Sequence, residues 1–433
     1  MTNVRYQASR FVAVLAFYAL PTTAEAQRPV TLAEAYRLAS TQSLDLEIAR
    51  RNHERADALV TQSWSALKPS VVGTGTYTLR DEATTRTFPG PTPTTITITP
   101  RDSFGASLVV TQPLVEPAAW LGIPNAQDSR EAAALDVEAA RQQIVLLTAR
   151  TYWSVVTARR VLEVNRQLEG VANANLRAAQ ARLEAGTGLA IDVTRAQIDV
   201  QVAQRQIAMA SAAQADAQEA LGLVLGISEP IDAVDPGDQP PAVPGVDAAA
   251  SDSRPDVRSA AVQQGVADRA VDAAWWSLAP TLDAQWIGTW TDSVGAFGRE
   301  TQWQIVGTLT VPFYDGGYRY GVIAQREAEA AQARVVADRL SRQARNELSS
   351  ARRAVETQRV AVETAMRQVD LARQALAQAQ AAYEAGASTN LEVIQAQQSV
   401  RDAEVTLAIG RADWQIAVVR LLVASGHAPG PRP

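Results

Sequence analysis

The sequence holds no cysteine, only two histidines, and aromatics at 6% of its 433 residues. Without cysteine there are no disulfides, thiolate metal sites, thiol nucleophiles or lipid attachment through an amino-terminal cysteine. His53 and His427 stand alone, so proton shuttling and imidazole ligation at neutral pH have little material. No G-x-S-x-G, H-E-x-x-H or P-loop pattern occurs, which leaves a secreted hydrolase without nucleophile, metal or phosphate site, and no cofactor is expected. The net charge of −6 comes with no concentration of basic residues, which argues against nucleic acid as a partner. Few aromatics among abundant Ala, Gln and Arg suit long, solvent-wetted helices better than one thick core.

Long apolar runs are also missing after the first residues. There, Arg5 and Arg10 precede the apolar Phe11 to Leu20, and Ala24-Glu25-Ala26 supplies a cleavage pattern. Residues 1–26 read as an export signal cut before Gln27, because the run falls well short of the roughly 20 residues that span a bilayer.

Proline is absent from two intervals, Pro124 to Pro230 and Pro312 to Pro429. Each is rich in strong helix formers and broken near its middle by a glycine motif, LEAGTGLAIDVTRAQ from Leu183 and YEAGASTNLEVIQAQ from Tyr383. The two motifs align at one constant offset, pairing Gly186 with Gly386 and Asp192 with Glu392. Each interval therefore reads as two long antiparallel helices joined at the motif, with Gly186, Gly188 and Gly386 in the turns. Apolar residues recur every seventh position at Leu348, Val355, Val362, Val369 and Leu376, and again at Val393, Val400, Leu407, Trp414 and Leu421. The first copy carries Val155, Leu162, Leu176 and Leu183, then Val193, Val200, Ile207 and Leu221. Such a repeat imposes a left-handed supercoil, and the alanine row Ala344, Ala351, Ala365, Ala372 and Ala379 lets helix axes approach closely. The stretch from Tyr318 to Tyr383 is a rod on the order of 100 Å.

Before each hairpin lie two segments of alternating character, at 70–80 and 103–114 and again at 280–292 and 301–313. They carry Tyr77, Trp286, Trp290 and Trp303, the texture of outer-membrane strands. The chain thus divides into a first repeat at 27–227, a proline-rich linker at 228–251, a second repeat at 252–425 and a tail at 426–433. Four strands cannot close a membrane barrel, and open edges in lipid cost several kcal/mol per unpaired group, so closure must come from further copies.

In VTLAEAYRLA (30–39), RPDVRSA (254–260), the Pro-Phe-Tyr-Asp-Gly-Gly run from Pro312 and the paired E-A-G…Q motifs, the mature chain resembles the TolC family of outer-membrane efflux proteins. The resemblance implies a mainly α fold with a small β part. A long α-helical coiled-coil barrel would be continuous with a transmembrane β-barrel, closed as a homotrimer with four strands per chain and internal duplication. It implies an outer-membrane duct that reaches into the periplasm, passive and non-enzymatic. Its partners would be outer-membrane lipid, a periplasmic adaptor and an inner-membrane transporter of the RND or ABC type. A periplasmic coiled-coil adaptor is the alternative, although it needs one helical hairpin and no two strand pairs.

The resemblance also places a gate at the glycine turns. Tyr383 falls where a tyrosine bonds across the tip, Asp192 where its acidic partner stands, and Glu392 at a ring of acidic groups facing the pore. Ser388 and Gln395 occupy places of an arginine and a second acid, and Arg195 is the nearest substitute. Thr389 and Glu392 also form a Thr-x-x-Glu capping pattern, which gives Glu392 a role at a helix start.

Overall fold

The computed structural model describes residues 29–237, 242–243, 245, 247–294 and 299–427. The export signal read at 1–26 and the end of the tail lie outside these. Two short helices, α1 (Leu32–Gln42) and α2 (Leu44–Ser65), lead into strands β1 (Ser70–Leu79), β2 (Thr84–Phe88), β3 (Thr94–Thr99) and β4 (Asp102–Val115). The long helices α3 (Pro117–Glu184) and α4 (Ala190–Leu225) follow. The order then recurs as α5 (Pro255–Trp276), β5 (Thr281–Thr291), β6 (Thr301–Thr310), α6 (Tyr318–Glu384) and α7 (Asn390–Ala424). Among the described residues no helix is long and apolar enough to cross a membrane.

The seven-residue rows form the seams of the hairpins. Leu348, Val355, Val362 and Val369 are buried, as are Val393, Val400 and Leu421, and the alanines at 344, 351, 365 and 372 are buried beside them. Leu183 departs from this pattern: it is 40% exposed, because the first hairpin's seam ends before its turn. Helix α3 also begins earlier than the proline map suggests. Pro117 sits in its first turn, and the helix runs on through Pro124, where one backbone hydrogen bond is lost.

Below the level of α5 the helices lie side by side in the order α4, α3, α7, α6; above it the order is α2, α3, α5, α6. Arg254 fixes the start of α5. Its guanidinium grips Asp256 with two bonds of 3.0 and 2.7 Å and reaches Glu347 of α6 at 2.6 Å, which explains the R-P-D part of the RPDVRSA stretch.

The stretch between the halves runs outside any α-helix over its described residues and packs against α3 as a belt. Val30 and Ala233 form a parallel bridge there, and Tyr152 donates to the Val234 carbonyl at 2.5 Å. Arg159 pairs with Asp232, and Arg160 holds Asp235 through bonds of 2.5 and 2.6 Å.

All pairings in the main sheet are antiparallel, in the order β1-β4-β5-β6, which leaves β1 and β6 as free edges. These are the four strands expected at 70–80, 103–114, 280–292 and 301–313; in addition the Pro- and Thr-rich loop, read as a loop, folds into a further hairpin, β2 and β3, with Thr87 and Thr95 hydroxyls 2.9 Å apart. Three prolines, Pro89, Pro91 and Pro93, crowd its turn and mask the alternation on either side.

Candidate functional site

The register of the main sheet sorts its side chains onto two faces. Tyr77 lies opposite Phe104, Ala106 opposite Trp290, Gly288 opposite Trp303 and Trp286 opposite Ile305, so these residues share one face. Val71, Leu108, Val110, Leu282 and Leu309 complete it. The other face carries Thr74, Thr76, Ser107, Thr111, Gln285, Thr289, Gln302, Gln304 and Thr308, with Val72, Val109, Ile287 and Val306 as its apolar members. One face suits hydrocarbon and the other water.

Aromatics collect at both ends of the sheet. At the loop end Phe104 and Trp290 meet edge to face at 5.9 Å, beside Tyr77 and Trp303. At the helix end Phe313 and Tyr314 are 92% and 86% exposed, with Trp64, Trp275 and Trp276 also exposed. Such girdles mark the two boundaries of a bilayer. Gly288 leaves room for the ring of Trp286 on the same face, whose outer edge lies 2.6 Å from where a Cβ would stand.

At the far end of the helices the two glycine turns share one design. Gly186 and Gly386 take positive φ, 72° and 73°. In each, the glycine N–H returns to a carbonyl three residues back, Leu183 or Tyr383, and the next N–H reaches Arg182 or Ala382. This is the Schellman arrangement for ending a helix. The first turn is tighter: the Gly188 N–H also bonds to the Arg182 carbonyl, and a Cβ at 188 would lie 2.8 Å from the Leu183 nitrogen. Its counterpart Ser388 has room for a side chain, and that hydroxyl donates to the Glu392 carboxylate.

The Thr-x-x-Glu capping box read at Thr389 and Glu392 is therefore corrected. Thr389 occupies the cap position without a side-chain bond: the Glu392 N–H donates to the Thr389 carbonyl, and the Glu392 carboxylate accepts from Ser388. Glu392 and Gln395 are exposed on the first turns of α7, free to face a lumen.

The two hairpins join at the tip through residues that the sequence did not single out. Asn390 is fully buried; its Oδ1 accepts from Asn175 at 2.8 Å, and its Nδ2 donates to the Asp192 carbonyl at 3.1 Å. Arg182 donates to the Glu384 carbonyl at 2.7 Å and lies over the ring of Tyr383, 4.4 Å from its centroid. Tyr383, 8% exposed, thus meets the first hairpin through its ring, and no hydrogen bond joins its hydroxyl to Asp192. Asp192 contributes its backbone carbonyl, and no ion pair links it to Arg195 among the described residues. The signal available was asymmetry between the copies: Arg182, Leu183 and Ala190 stand where the second motif has Ala382, Tyr383 and Asn390.

A sheet with one apolar face and two unpaired edges, continued by long paired helices, defines a class: the outer-membrane efflux fold. The chain belongs to the family described as "Outer membrane efflux protein", whose profile it matches over residues 35–227 and 248–427. It is 27% identical over 297 residues to outer membrane protein OprJ of Pseudomonas aeruginosa, covering 66% of this chain and 62% of OprJ. With outer membrane efflux protein BepC of Brucella suis the identity is 25% over 293 residues, covering 66% of this chain and 64% of BepC. The aligned part is thus under two thirds of either relative. The fold matches the Campylobacter jejuni CmeC outer membrane channel with a TM-score of 0.80 at 17% identity, over 98% of this chain and 94% of that one. A periplasmic adaptor, the alternative left open by the sequence, has no use for the two-faced sheet.

Proposed function

We propose that three copies of this chain form a passive exit duct through the outer membrane. Its periplasmic mouth would be opened by an adaptor and an inner-membrane transporter, and the chain itself performs no catalysis. The observation that carries the reading is the sheet, apolar on one face and polar on the other, with edges β1 and β6 both free. Pairing β6 of one copy with β1 of the next puts the apolar face in lipid and leaves no edge unpaired. The outer helices support the same closure. Ile191, Ile198, Met209 and Leu223 lie exposed in one row along α4, and Val335, Val360 and Leu371 in one row along α6, the two flanks without a neighbour inside the subunit.

The gate belongs to the tip. Asn175, Asn390, Arg182 and Tyr383 hold the two hairpins of a subunit together, while Glu392, Gln395 and the carboxylate of Asp192 face the opening. Acidic groups from three subunits in a narrow mouth favour cations. Single-channel recording of the purified assembly in a planar bilayer tests both parts. Asn390→Ala leaves Asn175 buried without its partner and releases Asp192, and is expected to raise conductance. Glu392→Gln together with Asp192→Asn is expected to reduce cation preference without changing the pore's formation. A wild-type preparation that forms no pores rejects the duct, and unaltered conductance in Asn390→Ala rejects the latch.

A further inference from the structure

On the helical wall a groove of about 360 Å³ crosses three helices, α4, α3 and α7. Its floor is low because α4 presents only Ala210 and Ala213 there, and Trp153, Ile409 and Ile416 give it apolar sides. The size lies in the range of small-molecule sites, roughly 300–1,000 Å³.

Two polar groups interrupt this lining. Trp153 is 4% exposed, and its indole Nε1–H has no partner. Asp413 lines the groove without an ion pair, and burial pushes its carboxyl above the usual carboxylate range. Arg150 also borders the groove but does not pair with Asp413. The indole donor is buried without a partner, while the Asp413 carboxylate stands exposed and without an ion pair beside the apolar lining.

The groove's orientation follows from helix geometry. At about 100° per residue, the groove residues Ser154 and Thr157 fall on the side of α3 opposite Tyr152 and Arg159, to which the belt is bonded. A belt inside the tube would obstruct it, so the belt lies outside and the groove opens inward. Helix α7 has α3 on one side and α6 on the other, which keeps Asp413 clear of the subunit boundary.

We propose that this groove is a wall site for lipophilic organic cations in transit, seating an apolar body on Trp153, Ile409 and Ile416 with its positive charge beside Asp413. The proposal rests on the duct reading above. An unpaired carboxylate beside apolar surface attracts a weakly hydrated cation more strongly than an inorganic one.

The test uses the full assembly in lipid nanodiscs and ethidium, an aromatic monocation, followed by fluorescence titration. Asp413→Asn is expected to weaken binding at least fivefold. Ala213→Leu, which fills the groove from an exposed position and leaves all charges in place, is expected to weaken it by as much. Asp402→Asn, which neutralises a carboxylate on the same helix that pairs with Arg401 and lies outside the groove, should stay within twofold of wild type. Loss in Ala213→Leu alone overturns the assignment to cations, and loss in Asp413→Asn alone overturns the assignment to the groove. Equal loss in Asp402→Asn and Asp413→Asn reduces the effect to general surface charge and also overturns it. Conductance recorded on the same preparations keeps this separate from the duct: pores that form normally while ethidium binding is unaltered reject the wall site alone.

Discussion

Arg182 does at the tip what the family resemblance led one to expect of Tyr383. It bonds to the opposite hairpin's backbone and covers the tyrosine ring, so the tyrosine hydroxyl carries little of the contact. Arg182→Ala is therefore expected to raise single-channel conductance, whereas Tyr383→Phe keeps ring and cation together and stays close to wild type. The reverse order in the same recordings would return the role to the hydroxyl. Further along the hairpins, Asp199 shows the cost of a half-buried carboxylate. Burial raises its pKa, and the nearby Arg401 only partly offsets this. Because its folded pKa is raised above the unfolded value, the group destabilises the fold once pH exceeds that folded value, and the penalty disappears below the unfolded one. Asp199→Asn should melt about 1 to 2 °C above wild type at pH 7, with the gap closing below roughly pH 4. A gap that widens in acid would contradict the sign.

At the level of elements, much was legible because the code is local or periodic. Leu348 to Val369 and Val393 to Leu421 declare their helices by recurrence alone, and Gly186 and Gly386 end them at positions where positive φ is needed. What escaped depends on how distant segments face each other. Asn175 and Asn390 are 215 residues apart, and nothing near either one names the other. Hairpin β2–β3 escaped for a different reason: its prolines and threonines read as loop although the threonines pair in register. Arg254 lay in plain view within a recognised stretch, yet its second partner, Glu347, is on another helix. Burial alone would lower the Arg254 pKa, but its bonds to Asp256 and Glu347 outweigh that and raise it. Arg254→Met should destabilise the α5–α6 pair by about 1 to 2 kcal/mol, measurable as a lower denaturant midpoint. Equal stability in the variant would make the pair ornamental.

For the whole molecule, the subunit is an incomplete wall. Its outer helices carry the apolar rows of α4 and α6, and its sheet ends in two bare strands. A charge placed in either row should oppose assembly while leaving the internal seams intact. Ile198→Glu or Leu371→Glu is expected to shift the purified protein from trimer toward monomer in mass photometry, with helical circular dichroism preserved; an unchanged trimer would show that these rows are not the contact. In the proposed trimer the tip contacts of all three subunits would have to yield before the mouth widens, which would make opening cooperative.

The bare edges of β1 and β6 have a genetic consequence. In the proposed trimer each copy must offer both edges, so one copy with a blocked edge would ruin the two sound copies joined to it. A variant with proline at a ladder position of β6, expressed beside the wild-type chain, should therefore act as a dominant poison, silencing far more ducts than its own share of the chains.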